Sequence, residues 1–77
     1  MDRNVELQRL GQADRHIGNA ERTVSHQMME IERLREHGHS TALAQQTLEA
    51  YRRTLHEMQE HRKLIIRTIA DIDAGLI

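Results

Sequence analysis

Two seven-residue repeats of equal length, separated by one short break, constrain this chain more than any other feature. In the first, Leu10, Ile17, Val24 and Ile31 fall seven apart, with Ala13, Ala20, Gln27 and Leu34 as the companion set. In the second, Thr41, Leu48, Leu55, Arg62 and Ile69 form one series, accompanied by Ala44, Tyr51, Met58, Ile65 and Ile72. This is the a and d pattern of helices that pack along a narrow seam. No proline interrupts either repeat, and the abundance of Glu, Arg, Gln, Leu and Ala favours helix throughout. The pattern predicts helices over about 4–37 and 41–74, each roughly 50 Å long at about 1.5 Å per residue.

The break is Arg35-Glu36-His37-Gly38-His39-Ser40-Thr41. Gly38 can take the left-handed conformation that closes a helix, and the side-chain oxygen of Ser40 or Thr41 can cap the next one. A turn over 38–40 leaves no room for anything but reversal, so the expected fold is all-α: residues 1–77 as a single antiparallel two-helix hairpin, coiled-coil-like in its seam. Asp2 or Asn4 is expected to cap the first helix and Gly75 to end the second. Folding about His39 pairs Ile31 with Leu48, Val24 with Leu55, Ile17 with Arg62 and Leu10 with Ile69. The companion layers are Leu34 with Ala44, Gln27 with Tyr51, Ala20 with Met58, and Ala13 with Ile65. In this register Tyr51 is a buried ring opposite Gln27, and Arg62 has to reach out of the seam to Asp14 or Glu57.

A chain of 77 residues buries too little surface alone to be very stable without a metal, a disulfide or a partner chain. With no cysteine, a partner is the natural aid. Twelve acidic and eleven basic residues are interleaved, for a net charge of -1. That pattern, with Tyr51 as the only aromatic residue, lacks the basic stripe and stacking platforms of a nucleic-acid binder. No apolar run approaches membrane-spanning length, so neither nucleic acid nor membrane is an expected partner. Met1-Asp2-Arg3-Asn4 opens no signal peptide, and the expected compartment is the cytoplasm.

The two flanks beside the seam differ. One carries Leu7, Met28 and Ile66 at e positions, with Gly11, Gly18 and Ser25 at the adjacent b positions of the first helix. Glycine inside a helix costs about 1 kcal/mol against alanine, so Leu7, Gly11, Gly18, Met28 and Ile66 are read as an oligomer interface that lets another backbone approach. Two hairpins joined there would form a dimeric four-helix bundle. The other flank reads Arg9, His16, Thr23 and Glu30 on the first helix and Thr47, Thr54, His61 and Thr68 on the second, and is taken as polar.

On that polar flank His16 and His61 come side by side, with Glu57 one turn from His61. Two imidazoles and a carboxylate on facing helices could hold Zn²⁺ or another divalent metal; the plain alternative is that these groups hydrogen-bond one another and help set register. His37 in the last turn of the first helix can satisfy terminal carbonyls. No nucleophile with an adjacent base, no phosphate-binding glycine loop and no carboxylate cleft is present, so no enzyme activity and no required cofactor are expected.

The run Arg15-His16-Ile17, Ala20-Glu21-Arg22, Ile31-Glu32-Arg33-Leu34, Gly38-His39-Ser40-Thr41-Ala42-Leu43-Ala44 and His61-Arg62 resembles small uncharacterised bacterial proteins, of an alphaproteobacterial type, with a Gly-His-(Asp or Ser)-Thr turn between two His-containing helices. The resemblance covers roughly Ala13 to Ile69. It implies a bacterial origin, a cytoplasmic location and a helical hairpin, and carries no assigned activity. Where Asp often stands before the Thr, this chain has Ser40, which keeps a capping oxygen and loses a charge.

The expected function is therefore a self-associating helical protein–protein interaction module, a homodimer able to dock a helical partner. The alternative is a divalent-metal-binding or pH-responsive bundle using His16, His61 and Glu57.

Overall fold

The computed structural model describes residues 2–77 as two helices, α1 (Arg3–Glu36) and α2 (Ala42–Asp73), packed side by side as an antiparallel hairpin. The rod measures 59 × 15 × 12 Å, two helices wide and one thick. α1 has its expected 34 residues, begun and ended one residue earlier, and α2 is one residue shorter at each end, so the connection His37–Thr41 is longer than the expected turn because caps occupy it.

Each end has an identifiable stop. Asp2 Oδ1 accepts hydrogen bonds from Asn4 N at 2.9 Å and Val5 N at 3.4 Å, satisfying amides that have no partner inside α1. At the other end Gly38 has φ +72°, while Gly38 N donates to Arg35 O and His39 N to Leu34 O. That pair of bonds is the Schellman arrangement. His37 adds its ring, with Nδ1 2.8 Å from Arg33 O. Of the two capping candidates for α2, Ser40 does the work: its Oγ accepts from Ala42 N at 3.3 Å, whereas the Thr41 side chain makes no cap bond. The same Schellman pair recurs at Gly75, where φ is +74°, Gly75 N donates to Ile72 O and Leu76 N to Asp71 O.

The seam runs in the register that the repeats imply. Ile31 and Leu48 are buried near the turn, Ala13 and Ile65 nearer the open end. Interhelical polar contacts agree with it: Arg3 Nε donates to Asp73 Oδ1 at 2.7 Å, and Arg62 Nε to Asp14 Oδ1 at 2.5 Å. Arg62 thus leaves the seam toward Asp14, one of its two expected partners, and turns a poor core residue into a clasp between the helices. One layer departs from expectation. Tyr51 is not a buried ring; it is 38% exposed, and the Gln27 amide donates instead to Ala44 O at 3.0 Å. The small side chains of Ala20 and Thr23 cannot cover a phenol, so Tyr51 lies across the edge of the seam.

No helix among the described residues is long and apolar enough to cross a membrane. Along the surface, Glu30 is held below the ordinary carboxylate range by its hydrogen bond from Arg33, and Glu60 by its hydrogen bond from Lys63. A depressed folded pKa means stabilisation that is present above the unfolded carboxylate range and lost as pH falls through the folded value. Helicity followed by circular dichroism should therefore fall on the acid side of that range, and Glu30→Gln with Glu60→Gln should flatten this part of the curve. Gly38→Ala, which forces a Cβ into the left-handed region, should cost about 1 kcal/mol and lower the melting temperature by roughly 4–8 °C.

Candidate functional site

Among the described residues the hairpin presents open hollows along its flanks. On the first, the expected interface residues Leu7, Met28 and Ile66 are 39%, 46% and 41% exposed. They do not form a continuous strip. The Asp14–Arg62 ion pair crosses this flank between them, and Arg52 Nη2 lies 3.8 Å from Met28 Sδ. Gly11 and Gly18 are open: a Cβ at Gly11 would meet Arg15 Nη1 at 3.6 Å, and one at Gly18 would meet Arg22 Nη1 at 3.8 Å. Both are ordinary contacts with the ends of flexible side chains, so nothing inside the hairpin requires glycine at either place.

The second flank is the one whose chemistry the sequence disguises. Four of its residues are helical threonines, and each spends its hydroxyl on its own helix: Thr23 Oγ1 donates to Asn19 O, Thr47 to Leu43 O, Thr54 to Ala50 O and Thr68 to Leu64 O, all at 3.0–3.2 Å. A threonine bonded back to the carbonyl four residues earlier shows its γ-methyl to the outside. Thr23 and Thr54 therefore join Ala20, Tyr51 and Met58 as the walls of an apolar groove of about 300 Å³, with His16 and Asn19 at one end.

His16 and His61 both border one shallow hollow of about 290 Å³, with Arg9, Gln12 and Ala13. Glu57 is not part of that hollow. Among the described residues no three His, Asp or Glu side chains are arranged to hold a metal ion, so His16, His61 and Glu57 do not assemble as a three-ligand site within one hairpin. The physical reason is that Glu57 occupies a c position, farther round α2 from the seam than His61 at g, so its side chain leaves the helix away from the facing one.

Sequence reasoning passed over Glu6. It is 4% exposed, the one buried charged residue among those described, and its Oε1 accepts from Arg9 Nη1 at 3.1 Å. The signal was available: extending the Ala13 series back by one heptad lands on Glu6. Glu6 is buried whereas the Arg9 side chain is 59% exposed, so an apolar residue of similar volume at position 6 costs little, while removing Arg9 leaves a buried carboxylate without its counter-charge. Glu6→Leu should consequently hold or raise the melting temperature, and Arg9→Ala should lower it. Gly11→Ala and Gly18→Ala should each stabilise an isolated hairpin by about 1 kcal/mol; a loss of subunit association in the same variants would mark the glycine face as an interface.

Compared with protein-family models, curated proteins and solved structures, this chain matches none.

Proposed function

We propose that this chain is a non-enzymatic helical module that works by self-association, two hairpins completing a four-helix bundle in the cytoplasm. The observation that carries this reading is surface in excess. The hairpin exposes 5759 Å², whereas a compact monomer of its 9.0 kDa mass would expose about 4,900 Å². The difference, roughly 900 Å² per chain, is close to the about 800 Å² that each partner contributes to a standard protein interface. Among the described residues the buried apolar ones are Ala13, Ile31, Leu48 and Ile65, and no large side chain is fully enclosed. A second layer of helices supplies what such a seam lacks.

Native mass spectrometry and light scattering at micromolar concentration test this directly. The expected result is a species of twice the 9.0 kDa chain mass; a stable, fully helical monomer overturns it. A second reading, divalent-metal binding, is favoured by one observation, the two imidazoles at a common hollow. It requires further ligands from water or another chain. Stoichiometric metal in untagged protein that disappears in His16→Ala and His61→Ala supports it, and the absence of any thermal shift with Zn²⁺ disposes of it.

A further inference from the structure

We infer that the surface through which two copies meet is the threonine flank, across a two-fold axis perpendicular to the helices at the level of Ala20 and Met58. This deepens the self-association reading and rests on it. The middle of the flank looks polar in sequence and is apolar in structure, because Thr23 and Thr54, like Thr47 and Thr68 farther along, have already used their hydroxyls on backbone carbonyls. Burying them against a second copy strands no donor, and their methyl groups permit close helix approach. The opposite flank is crossed by the Asp14–Arg62 pair and has Arg52 beside Met28, so a second copy centred there would have to desolvate charge, whereas no Asp, Glu, Lys or Arg lines the groove on the threonine flank.

Position along the rod gives a second, independent argument. α1 spans Arg3–Glu36 and α2 spans Ala42–Asp73, so their midpoints fall at Asn19–Ala20 and Glu57–Met58. The groove lined by Ala20, Thr23, Tyr51, Thr54 and Met58 is therefore at mid-length. An axis there overlaps the hairpins over their whole length, which an interface of roughly 900 Å² per chain needs.

The same axis makes the flank self-complementary. Arg9 and Glu30 occupy g positions equally far on either side of the α1 midpoint, so each faces its opposite charge on the second copy. On α2, Thr47 is placed against Thr68 of the second copy, and Tyr51 against Leu64, a leucine 61% exposed in the single hairpin. An isologous contact of this kind closes on itself as a dimer rather than propagating.

Tyr51 is the only aromatic residue of the chain, so the unmodified protein reports on this face. Tyrosine fluorescence is quenched with acrylamide across the concentration range in which light scattering records the dimer. Quenching of Tyr51 should fall at least severalfold as the mass doubles. Thr54→Glu, with helicity retained by circular dichroism, should raise the dimer dissociation constant at least about tenfold, a 1.4 kcal/mol effect. Thr54→Val, which keeps the methyl and loses only a hydroxyl already spent, should leave association unchanged, and so should Met28→Glu on the other flank. If the mass doubles while Tyr51 quenching stays constant, or if Met28→Glu separates the subunits and Thr54→Glu does not, the flank assignment is overturned and self-association stands. A chain that remains monomeric overturns both.

Discussion

A pair of helices can bury only the strip along which they touch, and that limit governs the rest of this structure. Each helix offers the other two positions in seven, and four apolar residues, Ala13, Ile31, Leu48 and Ile65, reach a buried state. Leu10, Ile17, Val24, Leu55 and Ile69 stay half-buried although they occupy the seam. Hydrophobic stabilisation scales with the area removed from water, so half-burial leaves much of it unrealised. The turn is what secures even this much. With five residues between α1 and α2, closed by Gly38 and capped by Ser40, the register cannot slip by a heptad without undoing the Schellman bonds or the α2 cap.

The seam also tolerates polar residues that a thicker core would exclude. Arg62 sits at an a position and escapes to Asp14; Gln27 sits at a d position and donates to the Ala44 carbonyl; Glu6 is buried and met by Arg9. None of the buried side-chain nitrogen or oxygen atoms among the described residues lacks a partner. In a rod one helix thick, every seam residue is one side-chain length from solvent or from a backbone carbonyl, so such groups find partners at small cost. These interhelical contacts specify register more than they add stability, since exposed ion pairs such as Arg3–Asp73 contribute little.

The two flanks show why chemistry and composition can disagree. The face with Leu7, Met28 and Ile66 contains the more hydrophobic residue types, yet Arg52 and the Asp14–Arg62 pair lie over it. The face with four threonines contains polar types, yet its hydroxyls are consumed within its own helices. What a face presents to its surroundings is set by the groups its own helices leave over, and in the groove of the second face these are methyls and the edge of Tyr51, with His16 and Asn19 at one end. On that same face His16 closes one end of the groove and also borders, with His61, the hollow next to it toward the open end of the hairpin.

The hairpin, its caps and its approximate register were legible in the sequence because they depend on local chemistry: heptad periodicity, a glycine able to adopt positive φ, Ser and Asp oxygens at helix starts. The escape of Arg62 to Asp14 followed from the same reasoning, since a guanidinium in a narrow seam has few places to go. Tyr51, Glu6 and the three proposed metal ligands were decided by packing. Whether a ring is covered depends on the volume of Ala20 and Thr23 across from it, and whether Glu57 converges on His16 depends on side-chain direction rather than spacing. The threonine flank is the clearest case. Residue type determined that hydroxyls stand in a row there, and only the folded backbone, by supplying carbonyls four residues earlier, decided that the row presents methyl groups.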